Sequence, residues 1–262
     1  MCPVTPRDIN ASNAIIVGGT AGIGLASAEA LLTVGLPRLV LVGRSQARGE
    51  AVCDDLRSRF PAAEIHFTAC DATDADKLSE AVDSAAALMG GIDILVSCAG
   101  GDPMPQLLHT ISLGDIMPTI NMIAGGVILP ARAVLPHMTA RGGGVVICVA
   151  SDAAKVATPG ETVIGAAMAA ITMFCRGMAW EAKRHGIRVN CLTPSVVGDT
   201  PLYGRLKEDD FARKLFAKAE TMASLGIVTA ADLAAAIVFL ASPAAAKMTG
   251  QTISITGGIS AV

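Results

Sequence analysis

The sequence predicts an α/β fold: one domain built on a doubly wound sheet of seven mostly parallel strands, with helices on both faces. Three observations lead to this class. The chain has 262 residues, which is enough for one large domain with a sizeable core. Seven apolar runs rich in β-branched residues alternate with helical stretches. No internal repeat, low-complexity linker or charge block divides the chain, so we expect residues 1–262 to form one domain.

The seven runs are continuously apolar, which is typical of strands that are covered by helices on both faces. In chain order they read AIIVGG, RLVLVGR, EIHFTACD, IDILVSCAG, GVVICVAS, IRVNCLTP and QTISIT. This alternation predicts a Rossmann-type sheet, in which ligands bind beyond the carboxyl ends of the strands. Between the strands, GLASAEALLTVG ends at Gly35, and DKLSEAVDSAAALMGG ends at Gly90 and Gly91, which are ordinary helix stops. The polar segment 198–224 follows a strand end, so we expect it to form a lid.

Composition excludes several classes of function. The formal charge of -3 gives no basic surface for nucleic acid, and seven cysteines without a C-x-x-C pair predict reduced thiols and no metal site. We expect no membrane span, because Asn121, Arg132 and Asp232 interrupt the long apolar runs. The first residues lack a signal-peptide pattern, so we expect a cytoplasmic protein. The mean hydropathy of +0.55 predicts that some apolar surface faces other subunits.

A glycine motif lies between the first strand and its helix. The stretch IIVGGTAGIGLASAEAL places Gly18, Gly22 and Gly24 there. Such a turn lets backbone N–H groups and a helix N-terminus approach a pyrophosphate closely. A lone glycine motif is also compatible with a tight turn that binds nothing.

Further motifs follow the glycine turn in a fixed order: CDATD at 70–74, DILVSCAG at 93–100, INMIAGGVILPARAVLPHM, GGGVVICVAS, WEAKRHGIRVNCLTP and MTGQTISITGG. Together, from Ala14 onward, they resemble the short-chain dehydrogenase/reductase superfamily. The resemblance implies an NAD(P)(H) site. The positions that it implies are Gly18, Gly22, Ile23 and Gly24 for the phosphates, Asp71 and Ala72 for the adenine, Ala99 and Gly100 for the cofactor floor, and Val197 beside the nicotinamide.

The end of the second strand usually decides between NAD and NADP in this superfamily. Here Gly43 and Arg44 stand where an acidic residue would grip the ribose of NAD. An arginine without a competing carboxylate suits the 2′-phosphate of NADP, which favours that cofactor. A solvated surface arginine is the alternative interpretation of Arg44.

The catalytic residues implied by the resemblance are only partly present. Ser151 fits the serine, and Asn121 fits the helix asparagine that shapes the proton relay. Counting thirteen residues forward from the serine, and then four more, puts Ile164 at the tyrosine position and Met168 at the lysine position. Neither side chain ionises. An enoyl-reductase-like arrangement of tyrosine and lysine is absent too.

Three functions therefore stay open. The first, which the resemblance implies, is a non-catalytic subunit of a hetero-oligomeric NAD(P)-dependent alcohol or hydroxyacyl-CoA dehydrogenase, assembled with an active relative. The second is an active NAD(P)-dependent oxidoreductase with a relocated acid or base. Candidates for that group are Lys155, Glu161, His185 and Asp152. The third function is a nucleotide-binding regulatory module. In each case we expect NADP or NAD to be weakly bound or absent, because no lysine remains to hold the nicotinamide ribose.

The resemblance also implies a helical interface between subunits, formed here by residues 105–138 and 160–185. We therefore expect a dimer or tetramer, with itself or with an active relative. In the second helix an apolar stripe is predicted to face the partner, unless it only covers the protein's own sheet. Its members are Ala167, Ala170, Ile171, Phe174 and Met178.

Overall fold

The computed structural model describes residues 6–101 and 103–262. Seven strands form one sheet in the order β3-β2-β1-β4-β5-β6-β7, and every neighbouring pair is parallel. All seven predicted runs are strands. Their bounds are β1 Asn13–Val17, β2 Arg38–Gly43, β3 Glu64–Ala69, β4 Ile94–Ser97, β5 Gly144–Val149, β6 Ile187–Pro194 and β7 Thr252–Ile255.

Helices cover both faces of this sheet. Successive side chains of a strand point to opposite faces, so Ile15 joins one buried cluster and Ile16 joins the other. The helices are α1 Gly22–Thr33, α2 Gln46–Arg59, α3 Ala75–Met89, α4 Leu113–Ile120, α5 Gly126–Ala133, α6 Leu135–Ala140, α7 Thr162–Ala182, α8 Pro201–Glu208, α9 Asp210–Met222 and α10 Ala230–Ala241. The cluster with Ile15 includes residues of α3, α5 and α7, and the cluster with Ile16 includes residues of α1, α2 and α10.

The helix expected over 105–138 is shorter and interrupted. It begins at Leu113, and a five-residue π-helical segment, Asn121–Gly125, separates α4 from α5. Pro118 and Pro130 lie on either side of this segment. Since proline has no N–H, each removes one hydrogen bond from the regular helical pattern.

The apolar stripe predicted on α7 mostly covers the protein's own sheet. Ala167, Ile171 and Met178 are buried in the core, and Phe174 packs against it, so only Ala170 is exposed. The expectation that this stripe faces a partner is therefore wrong for most of its members. The reason is that a helix in a doubly wound sheet first has to cover the strands beneath it.

Two helical stretches, Leu113–Ala140 and Thr162–His185, are long and apolar enough to cross a membrane by length and composition alone. Both belong to the fold: their apolar residues contribute to the cluster that covers one face of the sheet. Helices that cover a sheet in this way pass the same test, so we keep the expectation of no membrane span. The cytoplasmic location stays a prediction.

A buried carboxylate ties the amino ends of the central strands to the rest of the domain. Asp93 accepts hydrogen bonds from Arg7 and Arg141 at 2.8 to 3.0 Å and from the backbone N–H of Asn13 at 2.9 Å. Its side chain is only 3% exposed, so water cannot replace these partners. The pKa of the Arg141 guanidinium is raised by this hydrogen bond.

We predict that Asp93→Ala destabilises the domain by about 3–5 kcal/mol, because it leaves the Asn13 N–H and two guanidinium groups without their acceptor. Thermal or urea unfolding measures this loss. The matched control is Asp54→Ala, which removes a solvent-exposed ion pair with Arg57 and should cost no more than about 1 kcal/mol. Equal losses for both variants would contradict the structural role of Asp93.

Candidate active site

A large cavity of about 880 Å³ lies beyond the carboxyl ends of the strands. Its walls come from the turn after β1, the segments that follow β2, β3, β4, β5 and β6, and helices α7, α8 and α9. It gathers most of the predicted site residues. Those that line it are Gly18, Gly22, Ile23, Gly24, Arg44, Asp71, Ala72, Ala99, Gly100, Ser151, Ile164, Met168 and Val197.

The glycine turn brings α1 close to the sheet. Gly18 has a φ of +85°, and a Cβ on Gly24 would lie 2.2 Å from the Gly18 carbonyl oxygen, so a larger residue at position 24 does not fit. The residue before α1 is Ala21, which supplies no side-chain cap, and the first turn holds no acidic residue. The N–H groups at this helix end therefore remain available to an anion.

A basic cluster lies at the end of β2. Arg44 and Arg48 both line the cavity, and Ser45 between them caps α2 by accepting from the Arg48 N–H. Asp71 also lines the cavity and accepts hydrogen bonds from the backbone N–H and the hydroxyl of Thr73. These hydrogen bonds, together with the charge of Arg44, lower the pKa of the Asp71 carboxyl group. Arg48 is not among the residues predicted from the sequence, although it is the next basic residue after Arg44; it lies on α2, whereas Arg44 lies just before that helix.

Three of the four predicted catalytic positions line the cavity, namely Ser151, Ile164 and Met168. Ser151 Oγ accepts the backbone N–H of Ala153 at 3.2 Å, which leaves the hydroxyl proton free to be donated elsewhere. Ile164 and Met168 line the cavity and pack against the core. Asn121, in contrast, is exposed and does not line the cavity, because it lies where α4 passes into the π-helical segment.

The candidate relocated groups differ in their positions. Lys155 donates to the Ser254 hydroxyl and, at 3.0 Å, to the backbone carbonyl of Val262, and it does not line the cavity. His185 is exposed beyond the far end of α7, roughly 30 Å along the helix axis from its start. Asp152 and Glu161 both line the cavity.

The only tyrosine of the chain also reaches the cavity. Tyr203, on α8, donates from its hydroxyl to Glu220 Oε1 at 3.1 Å, and Glu220 is paired with Lys207 at 2.6 Å. The Lys207 ammonium also lies 5.0 Å from the centre of the Tyr203 ring. The phenol is therefore engaged between α8 and α9.

Comparisons with known proteins agree with the geometry. The family profile described as Enoyl-(Acyl carrier protein) reductase matches residues 18–260. The chain is 31% identical to cis-4-hydroxycyclohexanecarboxylate dehydrogenase of Sinomonas cyclohexanicum, over 95% of this chain and 96% of that protein. It is also 31% identical to a 3-oxoacyl-(acyl-carrier-protein) reductase of Chlamydia pneumoniae, over 94% and 95%. The chain belongs to the short-chain dehydrogenase/reductase superfamily.

One solved member of this superfamily bears on the chemistry of the site. It is a short-chain oxidoreductase from Pseudomonas aeruginosa PAO1, described as NADPH-bound and as containing an atypical catalytic center. The two structures match with a TM-score of 0.89 at 30% identity, over 98% of this chain and all of that one. The seven-stranded single-domain fold of the superfamily is thereby confirmed for this chain.

The residues present fit a nicotinamide dinucleotide. The uncapped N-terminus of α1 suits the phosphates, and Ala99, Gly100 and Val197, which follows β6, line the same cavity. No cluster of potential metal ligands occurs among residues 6–101 and 103–262. How tightly a cofactor binds stays a prediction.

We predict that Arg44→Ala weakens NADPH binding about 10- to 100-fold and leaves NADH binding nearly unchanged, because only NADPH carries the 2′-phosphate that the guanidinium can hold. Isothermal titration calorimetry with both cofactors measures this. Arg38→Ala, at the opposite end of β2, is the matched control and should change neither affinity. An equal loss for both cofactors would contradict the assignment of Arg44.

Proposed function

We propose that the protein is an NADP(H)-dependent oxidoreductase that interconverts a carbonyl and a hydroxyl group, with a proton-transferring group other than the usual tyrosine and lysine. One observation carries the proposal. A single cavity is lined by Gly22 and Arg44 at the proposed dinucleotide end, and by Ser151 and the carboxyl groups of Asp152 and Glu161.

The comparisons support an active enzyme more than a silent subunit. The matched relatives are named as dehydrogenases and reductases, and a neighbour with an atypical catalytic center binds NADPH. Replacement of tyrosine and lysine by Ile164 and Met168 therefore does not by itself indicate loss of activity. The silent-subunit and nucleotide-sensor functions remain alternatives that the turnover experiment below separates.

The chain's own residues can position a carbonyl substrate. A bound nicotinamide cofactor supplies the hydride. Ser151 can donate its hydroxyl proton in a hydrogen bond to the substrate oxygen, since the Ala153 N–H occupies one lone pair of Oγ and leaves the proton free. Ile164 and Met168 keep water away from this oxygen, which strengthens the hydrogen bond to it.

The substrate side of the cavity is mostly apolar. Hydrocarbon side chains from the loop after β4 and from α8 and α9 line it; these two helices lie within the segment 198–224 that is predicted to form a lid. We therefore propose an apolar ketone or secondary alcohol as the substrate class. The residues concerned are Pro103, Pro105, Leu202, Leu206, Leu215, Phe216 and Met222.

We expect the purified protein to oxidise NADPH in the presence of alicyclic, aryl or medium-chain alkyl ketones. Ser151→Ala should lower kcat by about 10²- to 10³-fold, because one hydrogen-bond donor to the developing oxyanion is lost. Absorbance at the reduced-nicotinamide band and product analysis measure turnover. NADPH binding without any turnover across the panel would favour the silent-subunit or sensor function instead.

We also propose that the protein self-associates through α4 and α7. Large apolar side chains remain exposed on both helices: Leu113 is 89% exposed, Trp180 is 72% exposed, and Met117 and Met173 are exposed as well. Side chains of this size on two neighbouring helices are typical of an interface between subunits. A mixed assembly with a relative that retains tyrosine and lysine stays a prediction.

The double variant Met173→Glu with Trp180→Glu is expected to shift a dimer or tetramer to monomer, because it places charges in the proposed apolar contact. Native mass spectrometry and sedimentation measure the mass. The matched control, Leu88→Glu on α3, also charges an exposed apolar position and should leave the assembly intact. A monomeric wild-type protein would refute self-association.

A further inference from the structure

We propose that Glu161 is the catalytic proton donor and acceptor of this site, and that the buried carboxylate of Asp152 acts through Glu161. The inference rests on the proposed oxidoreductase function. It replaces the missing phenol with a carboxylic acid that the fold brings to the same wall of the cavity.

Glu161 lies on the cavity wall close to the position that the superfamily gives to tyrosine. It directly precedes α7, three residues before Ile164 and seven before Met168, and all three residues line the cavity. Residues with this spacing share one helix face, so Glu161 lies one turn from the position that the superfamily gives to tyrosine. Its side chain makes no capping hydrogen bond to the helix and is available to the cavity.

The backbone at Glu161 is fixed from several sides. Its N–H donates to the Thr158 carbonyl at 3.0 Å, and its carbonyl accepts the Gly165 N–H. The preceding Gly160 has a φ of +82° and accepts the N–H of Gln106 at 2.8 Å. A Cβ on Gly160 would lie 2.5 Å from the ring of Phe211 on α9, so the lid packs directly against this turn. A base held this way is preorganised for its substrate.

Asp152 supplies the second observation. It directly follows Ser151, lines the cavity and is only 5% exposed. One of its carboxylate oxygens, Oδ1, is buried without a hydrogen-bond partner among the described residues. A buried carboxylate that lacks a partner is costly, and it discourages a second negative charge nearby.

Burial and this neighbour act on Glu161 in the same direction. Burial is the main cause that raises the pKa of Glu161 to about 7; a hydrogen bond with Thr158 opposes this shift, and the charge of Asp152 adds to it. A general acid or base is most effective when its pKa lies near the working pH. Isoleucine and methionine at the old relay positions contribute here, because they keep this end of the cavity apolar.

Among the residues that the structure describes, Asp152 is the charged group that acts on the pKa of Glu161. The Lys155 ammonium is directed to Ser254 and Val262, although Lys155 lies between Asp152 and Glu161 in the chain. From the lid, Lys218 and Tyr203 also line the cavity. Arg44 and Arg48 belong to the cofactor end.

The proton balance is complete. In the reducing direction a hydride released from a C–H bond of a reduced nicotinamide would form the new C–H bond at the carbonyl carbon as the C=O π bond breaks, and the Glu161 O–H bond would break as its proton forms the new alcohol O–H. The Glu161 carboxylate then takes a proton from water. In the oxidising direction the Glu161 carboxylate accepts the alcohol proton.

The sign of the pH dependence follows. Reduction needs protonated Glu161, so its rate should fall as the pH rises through about 7. Oxidation needs the carboxylate and should fall as the pH drops through the same range. Glu161→Gln should lower kcat/KM by about 10²- to 10⁴-fold and remove this pH limb. Glu161→Asp should restore part of the activity, and the matched control Glu80→Gln, exposed on α3, should change nothing.

A second measurement needs no cofactor. Infrared titration of the carboxylic acid band, as the difference between wild type and Glu161→Gln, should show one group that titrates near neutral pH. Asp152→Asn removes the like charge, so both this titration and the reduction limb should move to lower pH while NADPH affinity stays the same. A structural role for Asp152 alone would lower activity without moving the pH profile.

The outcomes separate the two proposals. If wild type reduces ketones and Glu161→Gln matches it at every pH, the assignment of Glu161 is wrong while the proposed function stands. If activity persists in Glu161→Gln but is lost in Tyr203→Phe, the lid phenol is the proton donor instead. If wild type binds NADPH and turns over no ketone, the proposed function fails, and the catalytic role of Glu161 fails with it.

Discussion

The parallel direction of all seven strands is the constraint on which the rest of the molecule depends. Because every strand runs the same way, every carboxyl end opens onto the same edge, and residues as far apart in sequence as Gly18 and Val197 meet there. Gly18 and Val197 line one cavity for this reason alone. The helices that return the chain to the opposite edge bury both faces of the sheet. Polar side chains therefore gather at the edge formed by the carboxyl ends of the strands.

The residue count from Ser151 predicts Ile164 and Met168 at the tyrosine and lysine positions, and such an exchange changes more than two side chains. In the usual arrangement an ammonium stabilises a phenolate, and both groups are polar. With Ile164 and Met168 in their places, the α7 wall of the cavity is apolar, and a carboxyl group nearby is desolvated. Desolvation raises the pKa of Glu161, whereas the same group in water would be ionised at neutral pH and a poor acid. In the proposed mechanism, the apolar side chains at these two positions create the environment that the Glu161 carboxyl group needs.

Helices α8 and α9, which lie in the segment predicted as a lid, connect the turn at Glu161 to the proposed substrate side of the cavity. Phe211 packs on the turn that holds Glu161, and Leu215 and Phe216 line the cavity from the same helix. Tyr203, Lys207 and Glu220 tie α8 to α9, so the two lid helices are joined to each other by polar contacts. The arrangement couples the position of the proposed acid to the helices that line the proposed substrate side of the cavity.

The sequence by itself determined the seven strands, the glycine turn and the absence of ionisable groups at 164 and 168, and it predicted cofactor positions that line the cavity. These features depend on local patterns: β-branched runs, glycines at fixed spacing and residue types at counted positions. Only the tertiary structure decided that Glu161 and Asp152 line the cavity while Lys155 does not, that Asn121 is exposed, and that most of the α7 stripe is buried in the core. Burial and charge neighbours come from segments that meet only in the folded chain, and a sequence pattern does not specify them.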